Sequence, residues 1–319
     1  MNAGNVRNMV RKIFRFGPYL ALSNLILVYG QKHFTPSTIR RISDNRNRKI
    51  QEKLVPFLAG CDDNVQNGQS RHIKQPKEIK DRAIWVCWLQ GENRMPAIPK
   101  LCLESIRRNA NGHEVVLLTL DNYNNYVTLP PIIGQRYKAA QLKHAHFADI
   151  IRINVLAQQG GLWLDATMLL TAPISESLFG VPFFSIKTPE KGYFVSRCRW
   201  AVFALGCKRG NLIMKNVAHA FKKYLTDTDL FIDYFLFDHF IEMIYRTSPD
   251  ARKMIDDIPY NNTHVHELSR ILTDPFDAEV WNRLLTDTSM FKLNSRAYSS
   301  AELDAADNSY YSHLKRHLI

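Results

Sequence analysis

The sequence predicts an α/β fold with a mainly parallel sheet beginning near residue 81, on the strength of three observations. Residues 83–89 (AIWVCWL) and 114–120 (EVVLLTL) are almost unbroken runs of apolar, strand-forming side chains, the pattern of strands buried on both faces. Residues 99–109, between them, repeat apolar side chains at helical spacing, and the turns on either side are short. Ahead of them lies a segment of different character: residues 1–82 hold sixteen Lys and Arg against six Asp and Glu, so +10 of the formal +12 falls in the first quarter of the chain. Strand, helix, strand in that order is how a parallel sheet covered by helices begins. At 319 residues the chain has room for one large domain with an appendage, since a domain takes roughly 100–200 residues.

From the N-terminus, residues 1–80 read as a basic helical arm. Arg7, Arg11, Lys12 and Arg15 precede the apolar run 16–30 (FGPYLALSNLILVYG), which has the outline of a secretion signal but no cleavage site. Its fifteen residues, interrupted by Pro18, Ser23 and Asn24, fall short of the roughly 20 needed to cross a bilayer. Two placements suit it. It can lie on a membrane surface, the basic cluster drawn to anionic lipid at about 1 kcal/mol per residue, or pack against the protein's own core. Residues 31–80 read as a basic helical hairpin ending in a polar linker at 62–70. The second unit, 81–319, is nearly neutral, which argues against nucleic acid as a partner. Five scattered cysteines, at 61, 87, 102, 198 and 207, form neither a disulfide framework nor a CxxC pair and point to a reducing, cytoplasmic compartment.

Within the second unit, residues 135–159 have helical periodicity and stop at Gly160-Gly161, where glycine makes a left-handed turn cheap. Residues 162–170 (LWLDATMLL) follow as an apolar strand interrupted by Asp165 and Thr167. A carboxylate inside a buried strand costs several kcal/mol unless paired or coordinated. Asp165 is therefore expected where the strand surfaces, at its carboxyl end, the place where open α/β sheets bind ligands. Residues 182–187 and 200–207 read as two further strands. Beyond 211 the chain turns helical, and 233–239 (DYFLFDH) opens a helix running to about residue 245, with Tyr234, Phe235 and Phe237 expected in its core.

The candidate chemistry sits between 148 and 167. Asp149 and Arg152 are three residues apart on one helix and share a face, and the glycine pair returns the chain to the strand that carries Asp165. Arginine's planar donors match phosphate oxygens, and a carboxylate suits sugar hydroxyls or a divalent cation. Spacing alone equally fits a surface ion pair and a turn-capping aspartate. His144 and His146, like His264 and His266, have strand-face spacing but no third ligand, so zinc is not expected.

Four stretches, 84–91 (IWVCWLQG), 148–152 (ADIIR), 160–167 (GGLWLDAT) and 233–239 (DYFLFDH), resemble the capsular polysaccharide synthesis proteins, a family related to glycosyltransferase family 32. The N-terminal arm falls outside that resemblance. It implies a GT-A type, Rossmann-like domain with a mixed, mainly parallel sheet and helical additions at both ends. It also implies transfer of a sugar from a nucleotide-sugar donor, with retention of configuration. On the matching positions, Trp88 would flank the base, Gln90 and Gly91 would line the nucleotide pocket, and Asp149 and Arg152 would hold the donor sugar and its phosphates. Gly161 and Thr167 complete the donor set. Asp165 matches the first carboxylate of a D-x-D motif and is the expected ligand of Mn²⁺ or Mg²⁺, although the third position is Thr167. Asp238 and His239 are the expected acceptor or phosphate contacts. The implied acceptor is a glycan or lipid-linked sugar at the inner face of a bacterial plasma membrane, in capsular or cell-surface polysaccharide synthesis. The alternative is a non-catalytic scaffold that binds a nucleotide sugar or glycan.

Overall fold

A computed structural model describes residues 3–60 and 82–317. The N-terminal helices are α1 (Ala3–Phe16), α2 (Pro18–Tyr29) and α3 (Pro36–Leu58). They are followed by β1 (Ile84–Cys87), α4 (Ala97–Arg108), β2 (Val115–Leu118), α5 (Pro131–Lys138), α6 (His144–Gln159), β3 (Gly161–Leu164) and β4 (Met168–Leu170). Next come α7 (Ser177–Gly180), β5 (Phe183–Ser185), β6 (Ala204–Cys207), α8 (Leu212–Asp227), α9 (Leu236–Thr247) and, near the C-terminus, β7 (Met290–Lys292).

Five strands form the main sheet in the order β2-β1-β3-β6-β5. β1 runs parallel to β2 and β3, and β6 runs antiparallel to both of its neighbours. Four strands therefore point one way and β6 the other, the mixed, mainly parallel sheet that was expected. The chain leaves β1 through α4 to reach β2 on one side, then returns to place β3 on the other. β1 and β3 thus flank a topological switch point, and the crevice outside their carboxyl ends is where such sheets bind ligands.

Several boundaries differ from the expectation. Residues 135–159 are not one helix: α5 ends at Lys138, Ala140 takes a left-handed φ of 55°, and α6 starts afresh at His144. The strand expected over 162–170 divides into β3 and β4 around a turn closed by Met168 N–H donating to Asp165 O at 2.8 Å, and β4 pairs with β7 instead of joining the main sheet. Only 204–207 of the expected 200–207 strand is extended pairing. Residues 31–58 hold one long helix, not a hairpin; α3 instead packs back on α2. The polar linker at 62–70 lies outside the described residues.

The N-terminal arm is not a separate packing unit. Leu20, Ile50 and Leu54 are buried in the same apolar cluster as Trp85, Ile150 and Phe240, and Arg46 of α3 forms a buried ion pair with Asp233. Arg11 and Arg15 of α1 are paired with Asp229 and Asp227, so part of the basic cluster is spent on the protein itself. Among the described residues no helix is long and apolar enough to cross a membrane.

Candidate active site

Asp165 is the first residue past β3, at the carboxyl end of the strand. The parallel register pairs Ile84 with Leu162 and Trp85 with Trp163, and continuing it brings Cys87 level with Asp165. Arg152 reaches up from α6 beneath the same edge. Its Nη2 donates to Asp165 Oδ1 at 2.9 Å and lies 3.2 Å from Asp149 Oδ1, while Nη1 donates to the Val202 carbonyl at 2.6 Å. The three groups proposed from spacing do converge, and the carboxylates are not sealed from solvent: the side chains of Asp149 and Asp165 are 28% and 25% exposed and that of Arg152 is 7% exposed.

Two residues complete the arrangement. Trp163 is buried in the core, donates its indole N–H to Asp165 Oδ1 at 3.0 Å, and lies beneath the Arg152 guanidinium, 5.0 Å from ring centroid to carbon. It positions both charges. Lys292, the last residue of β7, donates from Nζ to Asp165 Oδ2 at 2.7 Å. The antiparallel register sets Lys292 opposite Met168, and Leu293 N–H donates to the Thr167 carbonyl at 2.9 Å. Asp165 thus has one cation on each carboxylate oxygen. Sequence reasoning passed over Lys292. Its signal is the one that exposed Asp165, a charge set in an apolar run (MFKL), but nothing local ties it to a partner 127 residues away.

Electrostatics separate the carboxylates. Burial pushes Asp165 up, but Arg152 and Lys292 outweigh it and hold the group below the usual carboxylate range. Asp149 is raised to about 6, by burial first and by the Asp165 charge, against the pull of Arg152 and Lys292. Asp238, on the first turn of α9, accepts a hydrogen bond from Trp200 Nε1 at 2.9 Å and is raised to about 7, chiefly by burial. It lines an apolar cavity of about 220 Å³ with Val202 and Phe203, the loop whose carbonyls bind Arg152 and Asp165 N–H.

The other expected residues divide. Trp88, Gln90 and Gly91 follow β1 at the carboxyl edge of the sheet, and the Trp88 indole N–H is buried without a protein partner. Gly161 is not a cleft residue. It stands at the opposite end of β3, where φ is +92° and a Cβ would sit 2.4 Å from the Ala83 carbonyl oxygen; the requirement is close backbone approach. His239 is fully buried beside Asp233, 3.7 Å away, and one step along α9 turns its side chain about 100° from that of Asp238. Tyr234 and Phe235 are exposed, not core, since they precede α9; Phe237 is buried as expected.

The residues present do not fit a protein-held divalent cation. Asp165 already carries two cations, Thr167 replaces a second carboxylate, and among the described residues no three or more His, Cys, Asp or Glu gather to hold a metal. A metal bound there would lie against the Lys292 ammonium. No chemical step below runs through one.

Comparison with known proteins gives four findings. An O-glycosyltransferase, braB, of Annulohypoxylon truncatum is 24% identical over 57% of this chain and 43% of its own. Subversion of eukaryotic traffic protein A of Legionella pneumophila is 29% identical over 50% of this chain and 25% of its own. The chain therefore spans less than half the length of either relative. The solved PaToxG glycosyltransferase covers 87% of this chain and 97% of its own at a TM-score of 0.37 and 13% identity. The model of the capsular polysaccharide synthesis proteins matches residues 31–314, so the match takes in α3, which lay outside the sequence resemblance. With nearly the whole chain matched, the protein belongs to the capsular polysaccharide synthesis protein family.

Proposed function

We propose that the chain is a glycosyltransferase that moves a sugar, with retention of configuration, from a nucleotide-sugar donor to a glycan or lipid-linked acceptor in cell-surface polysaccharide synthesis. It would work at the inner, cytoplasmic face of a membrane. One observation carries this reading: Asp165 stands at the sheet's switch point, clamped by Arg152, Trp163 and Lys292, with Asp149 beside it and both carboxylates partly exposed to solvent. The four charges sum to zero, so a dianionic diphosphate entering the cleft finds two cations it can share with Asp165. As the nucleotide departs, Arg152 and Lys292 neutralise its growing charge, the role a metal plays elsewhere. Asp149, half ionised near pH 6, suits sugar hydroxyls. Asp238, held near neutral pH, can take or return the acceptor hydroxyl's proton. The unpaired Trp88 indole N–H supports its place against the nucleotide base, with Gln90 and Gly91 beside it. The name of the Annulohypoxylon truncatum relative supports sugar transfer in general.

The test screens UDP-, GDP-, CMP- and dTDP-sugars for a rise in melting temperature and for nucleotide release, with Mn²⁺ and with a chelator. One donor class should bind and turn over, the chelator should leave turnover within about twofold, and Asp165→Asn and Asp149→Asn should lower it about a hundredfold or more. Full turnover in both variants refutes the site. Tight donor binding with no turnover on any acceptor favours the scaffold reading instead.

A further inference from the structure

The exposed apolar side chains are not scattered. Among the described residues, nine of the sixteen large hydrophobics left exposed lie between Val10 and Val55, and Phe194, Tyr234 and Phe235 lie directly against the same helices. Helix α2 is apolar over most of its surface, Ser23 and Asn24 excepted. One face, with Leu20 and Ser23, is buried, and the other presents Leu22, Leu25, Val28 and Tyr29 to solvent, Leu22 59% and Tyr29 75% exposed. A helix with apolar side chains on both its buried and its exposed face is expected inside a core or against lipid. Its surroundings keep a positive excess: residues 3–60 carry eleven Lys and Arg against Asp44 and Glu52, and although Arg11, Arg15, Arg40 and Arg46 are paired with Asp229, Asp227, Glu190 and Asp233, more cations than acids remain.

Beneath α2 the surface opens inward. A cavity of about 560 Å³ runs from Asn24 and Val28 to Phe194, Tyr234 and Phe235. A neighbouring cavity of about 280 Å³ shares its Asn24, Arg46 and Tyr234 walls and adds Lys12. On its inner side the larger cavity shares Phe194, Val195 and Phe235 with the Asp238 cavity. Tyr234 lies within electrostatic reach of Asp149 and Asp165. Adjoining, largely apolar cavities thus form a passage from α2 to the wall that holds Asp238, with Lys12 and the Arg46–Asp233 pair at its outer side.

We propose that this passage is the acceptor site, that its occupant is the hydrocarbon chain of a lipid-linked acceptor, and that α2 rests in the interface of an anionic bilayer to receive it. The cationic surroundings suit both anionic headgroups and the acceptor's own phosphate. The proposal rests on the sugar-transfer reading and names its acceptor class, but its two tests need no sugar transfer, so either can fail alone.

The full chain is floated with phosphatidylcholine vesicles made with or without phosphatidylglycerol. Binding is expected only with the anionic lipid, and a quadruple L22S/L25S/V28S/Y29S variant, whose substituted side chains are exposed and whose folding is checked by thermal unfolding, should lose it about tenfold or more. In the second test a long-chain alkyl phosphate bearing a diazirine at its tail is photolysed with the protein in detergent, and label is expected on Phe194, Val195, Tyr234 or Phe235. Absence of vesicle binding, equal binding by the quadruple variant, or binding to neutral and anionic vesicles alike overturns the membrane seat. Label confined to other regions, or none, overturns the passage, and capture of a protein partner on α2 in place of lipid overturns the bilayer assignment.

Discussion

Asp238 gives the sharpest thermodynamic test of the electrostatics. Its carboxyl is raised from 3.8 to about 7, with burial the largest cause and the Trp200 hydrogen bond opposing it. Between those two values the folded protein holds a proton that the unfolded chain has released, so stability falls as pH rises through the window. The shift of about three units corresponds to about 4 kcal/mol in total, of which about 3 is lost between pH 5 and pH 8. Asp238→Asn removes the charge and keeps an amide oxygen to accept from Trp200 Nε1. Urea unfolding at pH 5 and pH 8 should therefore show the variant gaining about 3 kcal/mol on wild type between the two conditions. Asp149, raised to about 6, titrates in the same sense but is present in both proteins and cancels in the difference. Equal pH dependence in the two proteins would mean that Asp238 is ionised in the folded state at an ordinary pKa, and the proton-transfer role assigned to it would fall with it.

Three further outcomes follow from particular contacts. Lys292→Met should lower nucleotide release about a hundredfold, with Lys292→Arg retaining part of it; an unaffected rate would show that the Asp165–Lys292 pair is structural only. Gly161→Ala should destabilise by about 3 kcal/mol or more, read as a drop in melting temperature, because its Cβ would meet the Ala83 carbonyl at 2.4 Å from a backbone conformation that side chains rarely adopt. Arg46→Ala should cost about 3–5 kcal/mol by stranding Asp233 in the core. Removing both partners together should cost less than the arginine alone, and chemical unfolding of the three variants measures the difference.

What the sequence disclosed was the anomalous charge. Asp165 stands out because an aspartate in the middle of LWLDATMLL must be compensated, and the structure compensates it by ending β3 one residue earlier and sending the chain to a second sheet. Arg152 stands out because it shares a helical face with Asp149. Lys292 carries the same kind of signal in MFKL, yet its partner is supplied by an antiparallel pairing between segments far apart in the chain, and no local rule connects them. Gly161 shows the opposite failure. Being next to a motif placed it in the donor site, whereas strand geometry puts it roughly 13 Å of backbone from Asp165, at the end where the glycine is needed for packing.

The boundary drawn at residue 80 fails for a related reason. Charge composition changes there, but composition reports the solvent face, and packing is decided by the other one. On α3 the buried positions are Ile39, Ser43, Arg46, Ile50, Gln51 and Leu54, a core-facing stripe at helical spacing. Three of the six are polar, so the stripe does not register as apolar periodicity. Arg46 is admitted to the core only because Asp233 meets it from 187 residues away. That pair fixes the basic helices against the segment leading into α9, which carries Tyr234 and Asp238. The element that reads as a detachable arm therefore forms one wall of the passage to Asp238, and Arg46→Ala should disturb acceptor use as well as stability.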